Sequence, residues 1–568
     1  MAAVFWAVSN PSAEAKAASG TAPASSRASF SVVEASIPQM RMALARGRVT
    51  SRELVRQYLD RIAAYEDKLH AALTVNPRAL EEADVLDRER RQGHIRGPLH
   101  GIPIAVKDNI QTTDMPTTGG ALAFDGLVPP YEATLVKNLR AAGAIIIAKT
   151  QMTELANWVA GRPTPMPGNY NALGGYGYNP YDPRRDPREG FFDGRPAMLT
   201  GGSSSGIGTT ANFWAANVGT ETSGSILNPS NWTMLAGIKP TVGRISRYGV
   251  IPITADQDTP GPMAKNVTDA AILLGVLEGK AADPNDSATA NCARPPRNDY
   301  TRYLKAGALK GARIGIPRAF FYEPATVPGE VLAQGGLNPD QMQAMEDAIA
   351  VLRKKGAVIV DPADIPSVVD PDPGNNFLNF GICGGGFNTG EDGSCSIVLE
   401  YGMKRDFNAW LQSLGARAPV KTLSELRDWN NAHAGAGAIK YGQSALDASD
   451  ALDLARDYER YEADRAKDIR LTATHGIDEV MKRERLDALL FPAQTGAALA
   501  ARPGYPTVIV PFAKVPNAPE QPFPDGFDAK PAPFGVSFTG MACSEPQLIG
   551  LAFAFEQATK GRVPPSLP

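Results

Sequence analysis

Three short segments hold the residue types needed for nucleophilic chemistry without histidine. Gly101-Ile-Pro-Ile-Ala-Val-Lys-Asp-Asn109 sets Lys107 at the end of a short apolar run. Gly201-Gly-Ser-Ser-Ser-Gly206 and Gly219-Thr-Glu-Thr-Ser-Gly-Ser225 set serines on glycine-rich turns. A lysine that burial strips of its proton is a usable base near neutral pH, and Ser-Lys arrangements are a known variant of triad logic. Each segment has a plainer reading. Lys107 alone reads as a strand-mouth lysine paired to Asp108. A Ser/Gly loop entering a helix reads as an anion cradle, although this one lacks the Lys-Ser/Thr of a P-loop. In the second turn, small residues leave the backbone amides of Thr222, Ser223, Gly224 and Ser225 free to converge, as an oxyanion hole requires.

Taken together, the segments resemble the amidase signature family, whose members hydrolyse carboxylic amides with a Ser-Ser-Lys triad. The resemblance covers roughly 101–274, including Gly237-Ile-Lys-Pro-Thr-Val-Gly243 and Gln257-Asp-Thr-Pro-Gly-Pro-Met263. It reaches Phe534-Gly-Val-Ser-Phe-Thr-Gly540 and Phe553-Ala-Phe-Glu-Gln557. It implies Lys107 as base, Ser203 as a bridging serine after a cis peptide bond, and Ser225 as the nucleophile of an acyl-enzyme, with no metal or organic cofactor. Ser203 and Ser225 lie 22 positions apart, slightly fewer than is usual in the family, as a small deletion in the helix after Gly208 would produce. The segment after the nucleophile, Ile226-Leu-Asn-Pro229, lacks the arginine common in tRNA-dependent amidotransferase A subunits. With the long segment 168–199, this favours a stand-alone hydrolase similar to peptide amidases and aryl acylamidases, acting on aryl amides, peptide amides or carbamates.

Two other functions compete. Gly202-Ser-Ser-Ser-Gly206 also satisfies G-x-S-x-G with Ser204 central, the nucleophile elbow of α/β-hydrolases; that would need a preceding strand and a downstream histidine, His433 or His475. A partner-dependent amidotransferase A-type subunit is the other. For the substrate pocket, Trp158, Ser204, Trp214 and Tyr170 are candidates, and Trp158 and Trp214 read equally well as core aromatics.

The 568 residues carry a net charge of −3, from 57 Lys+Arg against 60 Asp+Glu. That balance favours neither a nucleic-acid partner nor an anionic membrane surface, and no apolar run has the length of a membrane span. A small-molecule amide substrate and a monomer or homodimer are the expectation. Five scattered histidines give no metal-ligand spacing. Four cysteines, Cys292, Cys383, Cys395 and Cys543, form no C-x-x-C pair; Cys383 and Cys395 could be bridged, but free thiols are the simpler reading. Residues 1–29 read as a disordered tail or a signal-peptide remnant, and a cytoplasmic location is favoured over a periplasmic or secreted one.

The elements that must position Lys107 and the serines alternate between helix and strand. Thr50-Ser-Arg-Glu53 is a capping box, followed by helical spacing at Leu54, Val55, Tyr58, Leu59 and Ile62. A helix is expected over 77–92, a buried strand over 102–106, a helix over 133–142 stopped by Gly143, and a strand over 144–148. A helix over 340–355 precedes a strand over 357–360, and further strands are expected at 313–316, 488–491 and 507–510. The Ala-rich 209–218 reads as a buried helix. These imply an α/β fold with a mixed, largely parallel central sheet covered by helices on both faces. One amidase unit over 30–568 is expected, with a loop insertion at 168–199. A helical cap-like insertion is expected at about 375–485, its helices at 397–414 and 450–485.

Overall fold

Strands whose every residue is buried must be covered on both faces; seven such strands, with four partly exposed ones at or toward the edges or ends, build one eleven-stranded sheet. The computed structural model describes residues 30–161, 164–190, 193–384 and 393–567; the tail at 1–29 and residues 385–392 of the second expected insertion lie outside the described residues. In chain order the strands are β1 (Ala72–Val75), β2 (Pro103–Lys107), β3 (Ile145–Thr150), β4 (Ala216–Glu221), β5 (Ala236–Lys239), β6 (Thr259–Ala264), β7 (Arg313–Gly315), β8 (Val358–Val360), β9 (Ala488–Pro492), β10 (Thr507–Val515) and β11 (Ala532–Thr539). Their order across the sheet is β1-β3-β2-β4-β6-β5-β10-β11-β9-β7-β8. The sheet is mixed. β3-β2-β4 and β9-β7-β8 are parallel blocks, joined through antiparallel pairs in the centre.

Helix starts follow local chemistry. Thr50 caps Ser51–Leu69 with the reciprocal Glu53 contact that the sequence announces, and Ser36 does the same for Ile37–Ala45 with Gln39. The helix Thr134–Ala141 ends at Gly143, whose φ of +83° is the left-handed conformation glycine adopts freely. A Cβ there would lie 2.6 Å from the His100 Cα, so the turn into β3 also needs the missing side chain. Asn338 caps Pro339–Lys354, and Val398–Ser413 matches the expected helix over 397–414.

Two expected helices fail for identifiable reasons. The stretch 209–218 holds only the end of a one-turn helix, Ile207–Thr210; Asn212 then turns the chain at φ +58° and Ala216 opens β4. β4 lies inside the sheet and is buried along its whole length, and the alanine-rich stretch leading into it has no period to separate strand from buried helix. The single helix expected over 450–485 is instead broken. The Asp453 carboxylate captures the N–H groups of Ala455 and Arg456, at 2.9 and 2.8 Å, and diverts the chain before Tyr458–Ile469. Beyond it, Arg470–Ile477 winds as wide π-type turns that end at Gly476.

The cysteines are paired, against the free-thiol expectation: Cys292 with Cys543, 251 residues apart, and Cys383 with Cys395. Such pairs persist in oxidising compartments and are rare in reducing ones. The first sits beside a buried charge cluster in which Arg244 donates to Glu278 at 3.0 Å and to Glu545 at 2.7 Å, tying the chain beyond β5 to the C-terminal helix Glu545–Thr559. Removing one carboxylate leaves a buried cation under-compensated. Glu545→Ala is therefore expected to lower unfolding free energy by about 3 kcal/mol, read by denaturant titration, with both disulfides still formed.

Candidate active site

Lys107 is the last residue of β2, between β3 and β4, and is fully buried. Its Nζ lies 2.8 Å from Ser203 Oγ, 2.9 Å from Thr220 Oγ1 and 3.3 Å from the Thr220 carbonyl. Asp108 turns the other way. It pairs with Lys149 at 3.2 Å and accepts from the Thr118 amide and hydroxyl, so the Lys107–Asp108 pair does not form. Burial without an adjoining carboxylate pushes the Lys107 ammonium down to about 7, with the more distant Asp258 and Glu221 partly opposing the shift.

The serine loop is pinned from three sides. Thr153 donates from its amide to the Ser203 carbonyl at 3.1 Å and from its hydroxyl to the Gly202 carbonyl at 3.2 Å. Asn169 donates its side-chain amide to the Gly201 and Gly202 carbonyls at 2.9 and 3.2 Å. The Ser204 amide donates to the Ser225 carbonyl at 3.2 Å, which brings the two serine-bearing turns together. Gly202 has no room for a side chain: a Cβ would sit 3.0 Å from the Ser225 Cα and 2.9 Å from Pro229 Cδ. The cis bond implied before Ser203 is absent. Asp361–Pro362 is the cis peptide among the described residues, and the Gly202 carbonyl held by Thr153 and Asn169 belongs to a trans peptide.

Ser225 closes a tight turn in which Gly224 has φ +95°. Among the described residues, the N–H groups of Thr222, Ser223, Gly224 and Ser225 donate to no protein acceptor. Two carboxylates hold this turn. Glu221 accepts from the Ile226 and Leu227 amides at 2.7 and 3.0 Å, capping the start of Leu227–Trp232. Asp258 accepts from the Thr222 hydroxyl at 2.5 Å. The sequence reading missed Thr153, Asn169, Thr220, Glu221 and Asp258. Asn169, Thr220, Glu221 and Asp258 lie inside segments already singled out, but a residue that acts by holding backbone has no spacing signature.

The expected pocket residues fare differently. Ser204 is fully buried, donating to the Thr220 carbonyl at 2.9 Å and accepting from its amide at 3.1 Å, so its hydroxyl is committed to β4. Trp214 is also fully buried, donates to Thr209 Oγ1 at 2.8 Å, and packs where a Cβ on Gly208 would strike its ring; it is core. Trp158 is half-buried and donates to Ser449 Oγ at 3.0 Å, joining the segment after Glu154–Asn157 to the helix Ser444–Ala451. Tyr170 packs against Tyr176 and Tyr441, with the Lys440 ammonium over its ring. The two histidines of the elbow reading are engaged elsewhere: His433 stacks on Trp429, and His475 lies between Asp370 and Glu479.

The amidase family profile matches residues 53–549. The chain belongs to the amidase family. A probable amidase of Arabidopsis thaliana is 34% identical over 541 residues, covering 94% of this chain and 92% of that protein. The A subunit of a glutamyl-tRNA(Gln) amidotransferase from Thermosynechococcus vestitus is 32% identical over 544 residues, covering 92% of this chain and 98% of that one. Among solved structures, the native peptide amidase of Stenotrophomonas maltophilia superposes with a TM-score of 0.77 at 33% identity, over 94% of this chain and 99% of that one. This amidase is an amide-hydrolysing enzyme with the mixed-sheet fold of its family. Among its described residues no helix is long and apolar enough to cross a membrane.

Because Trp214 is core and not pocket wall, Trp214→Ala is expected to lower stability by about 3–5 kcal/mol. In the fraction that remains folded, KM for an amide substrate should change less than about twofold, a margin small against the tenfold that 1.4 kcal/mol of lost binding would produce. Thermal melting and steady-state kinetics check the two halves.

Proposed function

We propose that Lys107, Ser203 and Ser225 form a proton relay and that Ser225 is the nucleophile. The supporting observation is the 2.8 Å contact between a fully buried, carboxylate-free lysine and Ser203, on a loop bonded to the Ser225 backbone. Neutral Lys107 takes the Ser203 proton as Ser203 takes that of Ser225. The Ser225 oxygen bonds to the amide carbon, and the oxyanion rests on the amides of the 222–225 turn. Collapse breaks the C–N bond, Ser203 protonates the departing nitrogen, and Lys107 returns its proton to Ser203. Water then attacks the acyl ester through the same relay, releasing the carboxylic acid and restoring Ser225.

The substrate is read as a small carboxylic amide turned over by the chain alone. The Ile226-Leu-Asn-Pro229 segment supports this over a partner-dependent amidotransferase subunit; likeness over the whole chain is common to both readings. Peptide amides, anilides and carbamates are the panel to screen. Hydrolysis seen only with further subunits present would favour the amidotransferase reading.

Ser225→Ala is expected to lose at least about a thousandfold in kcat with an unchanged melting curve; retained turnover would remove Ser225 as nucleophile. A fluorophosphonate is expected to label Ser225, and label on Ser204 would revive the elbow. The pH dependence follows from the sign of the Lys107 shift. Below about 7 the amine is protonated and cannot accept, so kcat/KM should climb as pH rises through 7 and then level. A profile flat from pH 5 to 9, roughly two units either side of that value, would exclude Lys107 as the base.

A further inference from the structure

Behind the relay lies a cavity of ≈ 10 Å³, lined by Asn109, Thr220, Thr222, Asp258 and apolar side chains of the 250–253 segment. That is about the space one water molecule needs. Its walls are suited to hold one. Thr220 Oγ1, which faces Lys107, also accepts from Asn109 Nδ2 at 3.0 Å, and Asn109 Oδ1 is buried without a partner. On the far side, a solvent-open groove of ≈ 320 Å³ shares Arg247, Val250 and Asp258 with this cavity. Asp258 is therefore, with Arg247 and Val250, part of the wall between solvent and the space behind Lys107.

The Asp258 carboxylate is held rigidly. One oxygen takes the Thr222 hydroxyl at 2.5 Å; the other takes the Ile253 and Thr254 amides at 2.8 and 3.0 Å. It thus touches the amide turn in front and the polar cavity behind. We propose that Asp258 is a positioning residue for the reaction: it fixes the 222–225 turn through Thr222, and through one water in the cavity it couples its charge to Thr220 and the Lys107 amine. The proposal rests on the Lys107–Ser203–Ser225 relay and extends it.

The surrounding charges are consistent with this. Asp258 and Glu221 are the carboxylates that favour the Lys107 ammonium against burial. Glu221 is already occupied with the Ile226 and Leu227 amides. Around Asp258, Arg247 is drawn off by Asp286, and Asp406 accepts from the Ala255 amide and pairs with Arg405. Burial pushes the Asp258 carboxyl up to about 6, so it is charged where the amidase needs Lys107 neutral.

Asp258→Asn is the matched test. The amide oxygen can keep the two backbone N–H groups, and the Thr222 hydroxyl can reverse to accept from the amide nitrogen, so shape is kept and charge is lost. The readout is the rate of Ser225 labelling by a fluorophosphonate as a function of pH, followed by intact mass, with melting curves alongside. Wild type is expected to label with an acid limb near 7. In Asp258→Asn the limb should move down by about one pH unit, the effect of removing one nearby charge in a protein interior. Thr222→Val keeps the charge and cuts the front contact. It should lower the plateau severalfold and leave the limb in place, which holds as a test even if Asp258→Asn does not fold. A limb that stays put in Asp258→Asn, or one that moves in Thr222→Val, overturns the proposal. Absence of label on wild-type Ser225 is a different result, and would instead remove the relay.

Discussion

Everything at this site depends on a lysine kept dry without a counter-ion. Placing an ammonium at the end of a strand flanked by β3 and β4 and covered on both faces is costly for the charged form, and the protein does not relieve that cost locally. The neighbours supplied to Lys107 are two hydroxyls and a carbonyl. The carboxylate next to it in the chain is taken by a second buried lysine, Lys149, from β3. Two lysines at one end of the sheet are thereby given opposite conditions. Burial pulls both down, but only Lys149 has a carboxylate against its nitrogen to resist. Lys149 acts at a distance, by removing Asp108 from Lys107.

The sequence was informative where chemistry is local and where an apolar pattern has a period. The capping box at Thr50, the stop at Gly143 and the run of isoleucines in β3 all depend on neighbouring residues, and each stands where expected. Lys107, Ser203 and Ser225 were recognisable because their motifs are short, and the fold brings them together. β4 escapes a sequence reading because a strand inside a sheet is buried on both faces, and the alanines at 211, 215 and 216 carry no preference strong enough to exclude helix. Trp214 was offered as pocket wall because an aromatic near a serine loop carries no sign of which way it faces. The Cys292–Cys543 pairing was invisible for a different reason: these two meet only once the C-terminal helix has docked.

The segment 168–199 is more than an elaboration of the surface. Its root residue Asn169 holds the carbonyls that fix the Ser203 loop, and the next residue, Tyr170, packs against Tyr441 of the helical region. Further along, Arg184 and Arg188 lie over the rings of Phe527 and Phe523. Each of these arginines also pairs with the aspartate two residues before it. The insertion therefore fastens the reactive loop to two surface regions distant in the chain. This is a mechanical reason for the serine turn to keep its shape with only a single helical turn behind it.

The Cys292–Cys543 pair has a consequence for biosynthesis. The second cysteine follows the first by 251 residues and lies after β11, so the first must stay without its partner while the intervening chain is made. During that interval Cys383 and Cys395 emerge, and their short 12-residue spacing makes them the kinetically easier partners for each other. Order of emergence thus favours the native pairing: the local pair closes early and removes its thiols from competition. Cys292 is left for Cys543, which emerges later. In a reducing compartment all four would remain thiols, and the C-terminal helix would be held by Arg244, by its apolar face and by the hydrogen bonds of Glu545, Gln547 and Glu556.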